Sequence, residues 1–162
     1  MEDHGSPLLR RLLDELPDAL VATHAQHGDA TAVVSGGEIL EVLRFARDDS
    51  QLAFEMLTDL CAVDYLPRSP RFEVVYHLYS LSQNHRLRLK VQLSGEAPSL
   101  ASAVSLYASA DWMEREAWDL YGIHFEGHPD LRRILLYDDF EGHPLRKDYP
   151  KERRQPLVGP GN

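Results

Sequence analysis

The chain has 162 residues, 43% of them hydrophobic, with a formal net charge of -9 and an isoelectric point near 5.3. That length suits one domain, and the acidity argues against nucleic acid as the main partner. The single cysteine, Cys61, excludes an intramolecular disulfide, a cysteine-ligated iron–sulfur cluster and a four-cysteine zinc site, and no run approaches the apolar length of a membrane helix.

The N-terminus, MEDHGSPLL, opens acidic and lacks the apolar core of a signal peptide, so a cytoplasmic protein is expected. Ser6 and Pro7 then begin a short helix, as cap and first turn, that Pro17 ends. Residues 19–27 and 31–35 are β-prone around Gly28-Asp29, a hairpin signal. Residues 38–48 place Ile39, Val42, Leu43 and Ala46 at helical spacing. Residues 52–58 are ambiguous and 60–66 look extended. Cys61 lies in the apolar run LTDLCAVDYL, which predicts a small buried side chain.

The clearest hairpin comes next, with strands at 72–80 and 86–93 joined through Gln83-Asn84-His85. Leu87, Leu89, Val91 and Leu93 alternate with Arg88, Lys90 and Gln92, so the sheet has one dry and one wet face. A helix is expected over 99–109, and another from Trp112 to about Tyr121, capped by Asp111. The class is α+β, a two-layer arrangement of a mostly antiparallel or mixed sheet with helices on one face. Residues 1–126 are expected to form this domain and 127–162 an extended C-terminal docking segment. Gly159-Pro160-Gly161-Asn162 reads as a frayed end.

The segment EREAWDLYGIHFEGHPDLRRILLYDDFEGHPLRKDYP, from Glu114 to Pro150, is the richest in chemistry. Two readings compete. His124, His128 and His143, beside Glu114, Glu116 and Asp119, are zinc-type donors, but Gly122, Gly127 and Pro129 break the helix that would align them. Glu114 and Glu116 suit a helix start, and Arg115 with Asp119 the spacing of a surface ion pair. The other reading is an interface. Trp112, Trp118, Tyr121, Phe125, Tyr137, Phe140 and Tyr149 are interleaved with Arg115, Arg132, Arg133 and Arg146, the residue types enriched where proteins bind proteins. The aromatics of the helix are expected to pack inward and the part after Gly127 to reach outward. Residues 131–162 carry seven Lys/Arg against five Asp/Glu, a basic end that can meet an acidic neighbour.

This segment resembles the signature of the thirty-kilodalton subunit, or C subunit, of respiratory NADH:quinone oxidoreductase, complex I. The match runs through Glu114-Arg115-Glu116, Asp119, Leu120-Tyr121, His128 and Arg132 with Ile134-Leu135, then GHPLRKDYP at Gly142 to Pro150. With the upstream strands it covers about residues 38 to 150. The resemblance implies a two-layer domain in the hydrophilic arm, peripheral to the cytoplasmic or matrix side of the membrane. That domain would brace the forty-nine-kilodalton, or D, subunit at the quinone site. It implies no catalytic residue, cofactor or metal in this chain. NADH, FMN, iron–sulfur clusters and quinone would belong to partner subunits. The interface would use Glu114, Arg115, Glu116, Asp119, His128, Pro129, Arg132, Arg133, His143, Pro144, Leu145, Arg146, Lys147, Asp148, Tyr149 and Pro150. Many relatives continue well past the Asp-Tyr-Pro motif, whereas this chain ends twelve residues after Pro150. The equivalent subunit of a membrane-bound hydrogenase-type complex is the alternative, and an autonomous enzyme using His124, His128 and His143 a distant third.

Overall fold

Alternation of apolar and polar residues suits five of the strands to one sheet with a single dry face. The computed structural model describes residues 5–155, and the expected frayed end at Gly159–Asn162 lies outside them. Helix α1 (Pro7–Glu15) is followed by strands β1 (Leu20–His24) and β2 (Thr31–Val34) and helix α2 (Ile39–Asp48). Strands β3 (Met56–Asp64), β4 (Phe72–Ser80), β5 (His85–Leu93) and β6 (Ser99–Ala101), helix α3 (Ala110–Tyr121) and strand β7 (His124–Glu126) complete it.

Five strands form a sheet in the order β1-β2-β5-β4-β3, antiparallel except where β2 runs parallel to β5. Cross-strand registers stack Leu60, Tyr76 and Leu89, then Ala62, Val74, Val91 and Val34, on one face. These join Leu9 and Leu12 of α1, Ile39, Val42, Leu43 and Ala46 of α2, and Ala110 and Ala117 of α3 in one buried cluster. The expected α+β two-layer class is therefore the observed one. Because side chains alternate across a strand, the opposite face carries Asp59, Cys61, Glu73, His77, Arg88 and Lys90.

Three expectations change. The helix expected over 99–109 is instead strand β6, paired in parallel with β7, followed by turns. Leu100, Val104 and Tyr107 have helical spacing, but nearby polar groups have distant partners. Ser102 Oγ and the Ala103 amide bond to Glu114, and Tyr107 Oη donates to the carbonyl of Phe54 at 2.9 Å. Tertiary partners override a weak local preference here. Cys61 is exposed rather than buried, because Leu60 and Ala62 take the core-facing positions beside it. Helix α3 starts at Ala110 without a side-chain cap, so Asp111 lies inside its first turn; Ser109 Oγ donates instead to Leu57 O at 3.1 Å.

Candidate docking surface

Helix α3 carries the acid–arginine signature, and its core face decides where those charges go. Ala110, Ala117 and the partly buried Trp118 and Tyr121 pack on the sheet. Glu114 and Asp119 are thereby carried to fully buried positions, where each needs partners. Glu114 accepts from Ser102 Oγ at 2.6 Å and from the Ala103 amide at 2.7 Å. Burial pushes its pKa up, against the lowering effect of those two donors. It therefore ties the turn after β6 to α3, and does not act as a solvent-facing charge at a helix start.

Asp119 organises the segment beyond β7. One carboxylate oxygen accepts from Arg133 at 2.6 Å; the other accepts from the consecutive amides of Ile134, Leu135 and Leu136 at 2.9–3.1 Å. Burial alone would raise its pKa. The Leu136 amide, the Arg133 guanidinium and the other two amides outweigh that and hold it below the ordinary carboxylate value. The expected Arg115–Asp119 surface pair does not form. Arg115 is buried, stacks on Trp112 and donates to the carbonyls of Arg132 and Arg133 at 3.2 and 3.0 Å. Both residues bond to the same following chain, residues 132–136, and not to each other.

No helix or strand occurs between residues 127 and 155, as the absence of periodicity predicts. The outward reach expected after Gly127 is not observed, because charged side chains fold this segment back. Arg133 also donates to Phe140 O at 2.5 Å and lies over the Trp118 ring. Arg146 donates to the carbonyls of Tyr121 and Glu96, at 2.5 and 3.1 Å, and covers the Phe72 ring. Burial is the main cause lowering its pKa. The Lys147 amide donates to Asp64 at 2.8 Å. Arg71 is bidentate to Asp64 and to Asp148, joining strand β3 to the tail. Asp64 is held far below its usual pKa, first by Arg71 and then, against burial, by the Lys147 and Leu66 amides. The sequence reading missed Asp64 and Arg71; an aspartate closing an apolar run was the only signal.

The two Gly-His-Pro turns are used up structurally. The Asp130 amide donates to His128 Nδ1 at 3.0 Å, which leaves Nε2 protonated and facing Asp111 O at 3.2 Å. His143 Nδ1 donates to Asp119 O at 2.9 Å. His124 is exposed on β7. These three histidines are engaged separately and form no group of three converging metal donors among the described residues.

What faces outward is different in kind. Glu116, Pro129, Arg132, Lys147 and Pro150 are exposed, as is Asp148 beside Arg71. Pro144 is half-buried, as is Tyr149, which stacks on Phe140. Trp112, Leu135 and Leu145 are the large apolar residues exposed in this region, at 61%, 59% and 49%. Trp112 was expected to pack inward; Arg115 instead holds its ring against the protein's outside. No helix among the described residues is long and apolar enough to cross a membrane.

Comparison with known proteins agrees with this construction. The family described as respiratory-chain NADH dehydrogenase, 30 Kd subunit, matches residues 32–155. The NADH-quinone oxidoreductase C subunit of Roseiflexus castenholzii is 50% identical over 143 residues, 88% of this chain and 82% of that protein. Its counterpart in Citrifermentans bemidjiense is 48% identical over 151 residues, 92% of each. A trypsin-resistant fragment of Nqo5 superposes with a TM-score of 0.67 at 33% identity, covering 76% of this chain and 99% of the fragment. A chain of an archaeal membrane-bound sulfane sulfur reductase shares the fold, with a TM-score of 0.78 at 22% identity over 91% of this chain and 86% of that one. A signature helix whose acids organise the chain that follows it, matched across most of the sequence, places this chain in the family of the 30 Kd subunit of respiratory-chain NADH dehydrogenase.

Proposed function

We propose that this chain is a non-catalytic assembly subunit in the hydrophilic arm of a proton-translocating NADH:quinone oxidoreductase. In this reading it braces the forty-nine-kilodalton type of subunit that carries the quinone site. It is peripheral, on the cytoplasmic or equivalent matrix side, and NADH, FMN, iron–sulfur clusters and quinone are held by other subunits. One observation carries the proposal. The charges of the signature are spent on internal bonds: buried Glu114 ties α3 to the turn after β6, and buried Arg115 and Asp119 with half-buried Arg133 and Arg146 hold residues 127–155 against the domain, while Trp112, Leu135 and Leu145 remain exposed. A rigid surface bearing exposed aromatic and aliphatic side chains suits docking, because little ordering entropy is lost on association.

The test is co-expression with the quinone-site subunit of the same organism. A stoichiometric complex is expected to co-purify. Trp112→Ser combined with Leu135→Ser should leave the thermal melt of the free subunit within about 1 kcal/mol while weakening the complex at least about tenfold, as hot-spot truncation does. Complex formation unchanged by both substitutions would overturn the proposed surface. Full assembly with lost turnover per complex would overturn the non-catalytic reading.

A further inference from the structure

The wet face of the sheet holds a cluster that the docking function does not use. Asp59 and Cys61 stand two residues apart on edge strand β3, so both side chains leave the same face. His77 on β4 is the direct cross-strand partner of Asp59. One carboxylate oxygen, the thiol sulfur and one imidazole nitrogen all lie within 4.8 Å of one another. No hydrogen bond or ion pair joins the three side chains, although each can serve as an acceptor or donor.

We infer that Asp59, Cys61 and His77 form a binding site for a borderline-soft divalent cation, Zn2+ above all. The donor set decides the ion. A thiolate and an imidazole select against Mg2+ and Ca2+, which take oxygen, and one thiolate is too few for an iron–sulfur cluster. Zinc bonds of about 2.0–2.3 Å hold tetrahedral donors roughly 3.3–3.8 Å apart. Asp59 and His77 also line an open cleft of about 720 Å³, so the fourth position faces solvent and takes water.

The surrounding charge suits a cation. Glu116 and Glu73 act electrostatically on Cys61 together with Asp59. The two basic neighbours are each paired, Arg88 with Asp29 at 3.3 Å and Lys90 with Glu73 at 3.0 Å. Binding releases the thiol proton to solvent and forms the metal–sulfur bond. Zinc is redox-inert, so the site adds no electron carrier. Its effect is to cross-link the edge strand to its neighbour.

The full-length chain, stripped with a chelator, is titrated with Co2+ as the optical probe and then with Zn2+. One Co2+ per chain is expected, with a thiolate-to-metal charge-transfer band that Zn2+ removes. Cys61→Ser should abolish the band, and His77→Ala should weaken binding by about tenfold or more, the scale on which even supporting contacts act. Since Cys61 is the only cysteine, a second reading needs no variant. Alkylation of the wild-type thiol should slow at least about tenfold in saturating Zn2+ and stay unchanged in Mg2+. Absence of the band, Co2+ binding unaltered in Cys61→Ser, or alkylation indifferent to Zn2+ would each overturn the site.

Discussion

At the scale of single residues, buried carboxylates in α3 hold the region together. Asp119 is fully buried and satisfies one guanidinium and three amides at once. Removing one partner of such an arrangement leaves the others desolvated and unpaired. Asp119→Ala is therefore expected to cost about 3–5 kcal/mol in a denaturant melt. A loss below about 1 kcal/mol would mean that Arg133 and the amides reach water instead. Glu114 differs in sign. Burial raises its folded pKa, so the native state binds its proton more tightly than the unfolded chain. Its contribution to stability falls as pH rises from the unfolded value, about 4.3, through the raised folded value. Glu114→Gln should remove that component. The wild-type minus variant stability, measured by urea melts from about pH 4 to 7, should decline with pH; a flat difference would contradict the burial argument.

At the scale of elements, the end of α3 depends on one glycine for two separate reasons. Gly122 has φ 71°, and its amide closes the helix on Trp118 O at 2.8 Å. A Cβ there would stand 2.5 Å from the His143 ring and 2.8 Å from Arg146. Gly127 has φ 82° but open space around it. Gly127→Ala should cost about 1–2 kcal/mol, the left-handed backbone penalty alone. Gly122→Ala should cost more, the excess reporting how firmly the second Gly-His-Pro turn is seated. Equal losses would show that the turn gives way freely. The hairpin of β4 and β5, α2, and the termination of α3 at Gly122 were legible because period two, period 3.6 and glycine punctuation are local signals. The strand pairing of β6 with β7 was not, because its partner lies more than twenty residues away, with α3 between the two strands.

At the scale of the whole molecule, the tail is joined to the sheet by the Asp64–Arg71–Asp148 cluster. The folded pKa of Asp64 is depressed. Its stabilisation is present above the unfolded value, about 3.9, and is lost as pH falls through the folded one. Acidification below about pH 4 should thus loosen the attachment of residues 127–155 before the apolar core melts. Hydrogen exchange at low pH should show the Lys147 amide losing protection ahead of the β4 and β5 amides. Simultaneous loss would mean that the tail and the core unfold as one unit. The guanidinium of Arg146, expected at an interface, is turned inward onto the carbonyls of Tyr121 and Glu96. Arg146 caps the helix end through its guanidinium, so Arg146→Ala acts on folding first; the Lys147 bond to Asp64 is made by the backbone amide and survives Lys147→Ala, whose side chain is exposed.

The sequence alone determined the α+β class, the sheet with one dry face, the absence of regular structure over residues 127–155, and the family to which the signature belongs. Each of these is carried by spacing within a short window, or by a long ordered string of residue types. Tertiary structure decided where the charges of that string point. Glu114, Asp119 and Arg146 read as surface groups because ionised side chains are seldom buried, yet the first two are fully buried and the third half-buried. Their burial depends on partners at Ser102, Arg133 and Tyr121 that the chain brings together only on folding. The same holds for Asp59, Cys61 and His77, whose donors converge because β3 and β4 pair in one particular register. A shift by a single residue would turn those side chains to the opposite face.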